Sequence, residues 1–421
     1  MPESWAGIRH SWAMNPNMGP LGVQFTLQEP EFFLRSLQDA IGHGSISLDQ
    51  ATLTEMWALG AIAALARTDR GAPLKVDWGR ATTAERFAIA VGFNEVVTGA
   101  ASALQGESGR TVRLSRVNDD ERIMPLAYQI AELLSANEPS RASARDTVAY
   151  VLIELMRNVL QHSDDRLGAV IGAQLNSRGL HAQKPVFQVV VADAGQGIRA
   201  HLSRTHPELE TDELAVERCL WPHVSGAFSS GRTGGEENAG LGLFYISEMA
   251  KALDGKLLVS SGSASVELAP ALKQRERILH VGFPGTLVAF EIPAESSIDF
   301  GQLFDSIGEK QRERAPRRVD TYWLSLEKPP ERVTKFLVSA FVENNEEALA
   351  LARIQLIPRL LKKEPVVLDF INVRLLTQSF AHALLFEPLR IAWAMQTKIY
   401  VSNAAPVVRS ALQRVEEYSQ R

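Results

Sequence analysis

The chain has 421 residues, 45% hydrophobic and 22% charged, which excludes disorder throughout and leaves room for two to four domains of about 100–200 residues each. Its 44 Lys and Arg against 49 Asp and Glu give a net charge of −5, the wrong balance for a surface-wide nucleic-acid binder. One cysteine, Cys219, excludes an internal disulfide framework and a four-cysteine zinc site, and fits a reducing cytoplasm.

No apolar run approaches the roughly 20 residues of a membrane span. Met1 to Gly22 lacks a basic segment followed by an apolar stretch, so no secretory signal is expected there. Phe25 to Ala66 reads as helical, with one stripe at Leu34, Leu37 and Ile41 and another at Leu53, Met56, Trp57, Leu59 and Ile62. Gly42-His43-Gly44 separates the two. Leu74 to Trp78 reads as a strand, and a helix from Thr82 or Thr83 to Val91 ends at Gly92. Val112 to Leu114 is a further strand candidate. These give residues 1–137 as an N-terminal unit, α/β with a strand-then-helix unit like that of the C-terminal section, or else a plain helical sensor or dimerisation module.

After the break at Glu138 to Ser143, a long helix spans Ser143 to Gln161. Strands follow at Ala169 to Leu175 and Val186 to Ala192. A mixed stretch, Ile198 to Asn238, precedes a helix from Gly242 to Leu253 and strands at Lys256 to Ser260 and Thr286 to Ile292. Residues 138–293 thus read as one α/β sandwich, and 294–318 as a linker whose end, Lys310 to Arg318, is basic and proline-interrupted and reads as a solvated joint. Residues 319–421 form another α/β unit: helix Asn345 to Leu361, strand Pro365 to Phe370, a helix from Ser379, strand Lys398 to Val401 and helix Val407 to Tyr418.

Three elements of the middle unit carry chemistry. Glu154, Asn158 and His162 stand four apart, on one helical face. A carboxylate and an amide oxygen one turn apart can hold a hard cation and orient a water. Val189 to Ala192 is a β-branched strand that delivers Asp193, with Gly195 and Gly197 after it. An aspartate there can accept a hydrogen bond from the amino group of a base, and glycines let a flat ring approach the backbone; the same pattern also reads as a tight turn with a capping aspartate. Gly240-Leu241-Gly242-Leu243 opens a helix, where freed N–H groups and the helix dipole suit an anion. No Gly-Lys-Ser/Thr is present, so this is not a Walker A loop.

In this order, Glu-x-x-x-Asn, Asp-x-Gly-x-Gly-Ile and Gly-Leu-Gly-Leu, the elements resemble the GHKL ATPase superfamily, over roughly a third of the chain. Gly285-Thr286 resembles the family's closing Gly-Thr strand. The resemblance implies a Bergerat-type sandwich that binds ATP and Mg²⁺. It implies Glu154 as general base, Asn158 as the Mg²⁺ ligand and His162 near the phosphates. Asp193 would bond the adenine amino group beside Thr286, and Gly195, Gly197 and Ile198 would border the adenine and the lid. Gly240, Leu241, Gly242 and Leu243 would hold phosphate. Ile198 to Asn238 would be a mobile lid.

The C-terminal Val366 to Val373 and Leu376 to Phe380 resemble STAS domains, more closely a STAS-like prokaryotic family. Ser379 occupies the position that a GHKL serine kinase phosphorylates in signalling members, although it also reads as a helix-capping residue, as does Thr377. The expectation is a cytoplasmic Mg-ATP-binding protein that hydrolyses ATP slowly and passes lid closure to its flanking domains, to a protein partner or to a second copy. The alternatives are a serine/threonine kinase and a non-catalytic nucleotide sensor. No membrane or nucleic-acid partner is expected.

Overall fold

The computed structural model describes residues 23–79, 83–99, 109–135, 142–176, 185–203, 208–221, 242–272, 274–294, 302–303, 306–307 and 323–419. It is a mixed α/β molecule. In chain order it begins β1 (Val23–Phe25), α1 (Pro30–His43), β2 (Ser45–Ser47), β3 (Ala51–Thr54), α2 (Met56–Ala66), β4 (Lys75–Asp77), α3 (Thr83–Ala90) and α4 (Phe93–Thr98). It continues β5 (Thr111–Val117), α5 (Ile123–Ser135), α6 (Ala142–His162), β6 (Ala169–Asn176), β7 (Val186–Asp193), α7 (Gly197–Leu202), α8 (Asp212–Arg218) and α9 (Gly242–Ala252). Strands β8 (Lys256–Ser261), β9 (Ala264–Leu268), β10 (Glu276–Leu279) and β11 (Thr286–Pro293) complete the middle of the chain.

A seven-stranded sheet, order β10-β9-β8-β11-β7-β6-β5, is the frame. All its pairs are antiparallel, and alternation sends successive side chains of each strand to opposite faces. Val189, Val191, Val288 and Phe290 pack in one core with α5, α6 and α9. Val190, Ala192, Leu287 and Ala289 pack in the other, with α1 and α2. Both faces are covered, which is why β7 reads as a nearly unbroken apolar run and is buried along its whole length. Helix α2 is buried from Met56 to Leu65, because it lies between the sheet and the rest of the N-terminal segment. It approaches so closely that a Cβ on Gly60 would stand 2.8 Å from Val190.

Several expectations change. The boundary at 137/138 does not separate folding units: β5 pairs with β6 at the sheet edge, and α5 packs against α6. Phe25 to Ala66 is not continuously helical. It holds the short strands β2 and β3, whose partners are β4 and β1. Each is only three or four residues long, too short for a period to show. The mixed stretch 198–238 contains α8 and most of α7; residues 204–207 and 222–241 lie outside the described residues. Within the 294–318 linker, Leu303 and Ile307 are buried in the helical-layer core, while its basic end, Lys310 to Arg318, lies outside the described residues.

The C-terminal unit is a four-stranded parallel sheet, order β12-β15-β14-β13, with β12 (Leu324–Ser325), β13 (Thr334–Leu337), β14 (Val366–Asp369) and β15 (Ile399–Ser402). Helices at Asn345–Leu351, Ile357–Leu361, Gln378–Met395 and Pro406–Ser419 accompany it. Val366, Leu368, Phe380 and Leu384 form its own core. Leu375 and Val407, however, are buried in the helical layer of the large sheet, which seats this unit against α6.

Candidate functional site

Asp193 ends β7 opposite Thr286, its register partner at the start of β11. Residues 189, 191 and 193 share a face by strand alternation, so Asp193 projects toward the layer of α6 and α9, as does Thr286. Asp193 is 1% exposed. Its Oδ1 accepts the Gly195 N–H at 2.7 Å, while Oδ2 is buried without a hydrogen-bond partner among the described residues. Burial pushes the carboxyl up to about 7; the Gly195 N–H opposes this, Asp165 adds to it, and the Thr286 hydroxyl and N–H beside the carboxyl oppose it. A buried acceptor with no well-formed hydrogen bond is costly, and the Thr286 donors beside it lessen that cost.

The loop after Asp193 is tied to the end of α6. Gln196 N–H donates to the Ser163 carbonyl at 2.7 Å, and Ala194 N–H to Asp165 Oδ2 at 3.0 Å. This explains Gly195 more simply than a bound ring does: a Cβ there would stand 2.1 Å from the Ser163 oxygen. Gly285 is likewise forced, at φ +123°, with a Cβ that would stand 2.1 Å from the Asp193 carbonyl. Ile198 N–H donates to Ser261 Oγ at 2.8 Å and its side chain packs on the helical-layer core.

On α6, Glu154 and Asn158 face the first turn of α9. A Cβ on Gly242 would stand 3.1 Å from Glu154 Cβ and 3.5 Å from Asn158 Nδ2, so glycine sets the helix-to-helix approach. Leu243 packs on the adjoining core. The fold therefore gathers Glu154, Asn158 and Gly242 at one spot, and ties the Asp193–Gly197 loop to the same helix beyond Asn158. The side chain of His162 and residues Gly240 and Leu241 lie outside the described residues. A cleft of about 520 Å³ runs behind the loop, lined by Gly195, Gly197 and Gly285 with Leu65, Arg70 and Leu74; Glu154 and Asn158 do not line it. Among the described residues no group of three or more His, Cys, Asp or Glu side chains gathers as a metal cage. An Mg²⁺ held by one amide oxygen and phosphates needs no such cage.

The C-terminal unit contributes to this spot. Glu154 is 2% exposed, and its Oε1 accepts the Gln378 N–H at 3.3 Å. Gln378 opens the helix that Thr377 caps, Thr377 Oγ1 accepting the Phe380 N–H. The Gln378 N–H is one of the first-turn donors a helix cannot satisfy internally, and Glu154 satisfies it from another unit. Burial raises the Glu154 carboxyl, while Arg157, Arg414 and the Gln378 N–H oppose the rise and Glu343 adds to it. Glu343 sits at φ +65°, an uncommon conformation for a non-glycine residue. There its Oε1 accepts the Thr377 N–H at 2.8 Å, and its Oε2 accepts Thr377 Oγ1–H at 2.6 Å. The same Oε2 pairs with Arg157 at 3.4 Å.

Arg414 donates to the Tyr150 hydroxyl and lies 4.4 Å from the Tyr245 ring centroid and 5.2 Å from that of Tyr150. It is 3% exposed. Burial works against its charge, and Tyr150, Tyr245 and Glu154 more than offset that, so the guanidinium stays charged. Sequence reasoning missed Arg414, Glu343, Tyr150 and Tyr245. One signal was available: Arg414 shares the stripe of Val407 and Ala411 at helical spacing, an arginine where an apolar residue belongs.

No family model, curated protein or solved structure matches the chain.

Proposed function

We propose that the middle of the chain binds Mg-ATP on the helical face of the large sheet, in the manner of the GHKL ATPases, and that the C-terminal unit is a STAS-like domain reporting on that site. The observation that carries this reading is the buried Asp193 carboxyl at the strand end where the motif order puts the adenine amino group, its Oδ2 making no well-formed hydrogen bond beside the Thr286 donors. Bound there, ATP would supply the scissile phosphoanhydride and Mg²⁺ the counter-charge. Asp193 selects the base, with Thr286 beside it. Asn158 offers its amide oxygen to the cation. The N-terminal turn of α9 at Gly242 and Leu243 presents N–H groups and a positive dipole end to the phosphates. Glu154, next to Gly242, orients or deprotonates the attacking water.

The test is base selectivity. Guanine carries an oxygen where adenine carries the amino group, so it would set an acceptor against Asp193. ATP is expected to bind at least about 100-fold more tightly than GTP, as is usual when a buried polar group is left unpaired. Competition between the two nucleotides, read with a fluorescent ATP analogue, measures it; equal affinities would remove Asp193 from the base pocket.

A kinase reading has one observation in its favour: Ser379 belongs to the helical turn whose first N–H touches Glu154. Incubation with γ-labelled ATP separates the readings, since label retained on Ser379 denotes transfer and free phosphate denotes hydrolysis.

A further inference from the structure

We propose that the C-terminal unit is a built-in brake on ATP turnover, and that its seat on α6 holds Glu154 out of reach of water. This rests on the preceding reading of Glu154 as the water-orienting carboxylate. A carboxylate that activates water must present a free oxygen to it. Here Oε1 accepts the Gln378 N–H at 3.3 Å from the N-terminus of the Gln378–Met395 helix, whose positive dipole end meets the charge, and the whole side chain is only 2% exposed.

The seat is polar and specific. Glu343 acts as a two-sided clasp: it holds Thr377 by two hydrogen bonds and Arg157, the neighbour of Asn158, by an ion pair. Arg414 is the second fastening, between Tyr150 and Tyr245, one turn before Glu154 and within the first turn of α9. Leu375 and Val407 supply the apolar part. Every polar fastening therefore ends on α6 or α9, the two helices that carry the proposed phosphate site. A polyphosphate arriving there competes with Glu343 for Arg157, so the nucleotide itself loosens the clasp. By linkage, loosening the clasp cannot weaken ATP binding.

The experiment uses the full chain with Glu343→Ala, and separately Thr377→Val, neither of which alters a residue assigned to the nucleotide. Two quantities are read: phosphate release at saturating Mg-ATP, and hydrogen exchange of the peptide containing Gln378 to Phe380. The brake predicts faster exchange and roughly ten-fold faster phosphate release, the effect of shifting a two-state equilibrium by a factor of ten, with ATP affinity equal or tighter. Arg414→Lys is the third variant, keeping the charge while losing the fork on Tyr150; it should move both readings the same way. Faster exchange with unchanged or slower phosphate release overturns the brake alone. Unchanged exchange in all three variants shows that these contacts fasten nothing and also overturns it. Failure of the unaltered chain to bind ATP instead overturns the reading beneath it.

Discussion

Asp193→Asn is expected to abolish most ATP affinity while making the empty protein more stable at pH 8. The carboxyl is fully buried, and its folded value of about 7 lies well above the ordinary aspartate value. Below about pH 4 it is neutral folded and unfolded, and costs nothing. Between about 4 and 7 it stays protonated folded but ionises unfolded, so stability falls as pH rises. Above 7 the full penalty is present, on the order of 4 kcal/mol by linkage. Asparagine removes that penalty. Its Oδ1 can keep the Gly195 N–H, and its amide nitrogen takes the place of Oδ2 as a buried donor without a partner, at about 1–3 kcal/mol. The net result is a higher melting temperature at pH 8 and a flatter dependence of stability on pH between 5 and 8. The same amide nitrogen would face the adenine amino group donor to donor. Affinity should fall about 100-fold, a loss of some 3 kcal/mol. Calorimetric titration and thermal melts of the two proteins check both halves. A variant that loses stability and keeps ATP makes Asp193 a structural turn residue.

Glu154→Gln should keep ATP binding and lose phosphate release by roughly 10²–10⁴-fold, the usual worth of a positioned acid–base group. Glutamine retains an oxygen for the Gln378 N–H, so the seat of the C-terminal unit survives and the loss isolates the chemistry. The measurement would be clearest in the Glu343→Ala background, where the proposed brake would be released and the range wider. Phosphate release that persists there would make Glu154 a cap for a neighbouring helix and nothing more.

The parts of this site that were legible in the sequence are those built by local pattern. The four-residue spacing of Glu154 and Asn158 survives because α6 is one unbroken helix from Ala142 to His162. Asp193 was legible because a fully buried strand reads as a continuous apolar run and a polar residue marks its end. Glycines were legible as positions, but the backbone contacts that require them were not. Gly195 and Gly285 are required by the approach of chain to chain, before any ligand is considered.

What was not legible depends on pairing over long separations. Strand β5 joins the sheet across a helix pair that a proline-bearing break in the sequence had seemed to divide. Glu154 and Gln378 are 224 residues apart, and no spacing rule connects them. The burial of α2 on all sides arises from a second layer over the sheet, whereas its sequence suggested a one-sided stripe. The Glu343 clasp is less visible still, since it needs an uncommon backbone angle to point one carboxylate at two units.

The central claim is that the helical face of the large sheet, from Asp193 to Asn158 and Gly242, receives an adenine nucleotide with its cation. Isothermal titration of the full chain with ATP, with and without Mg²⁺, tests it directly. One site per chain with affinity that rises on adding Mg²⁺ is the predicted result. No heat and no saturable binding of ATP under either condition would contradict it.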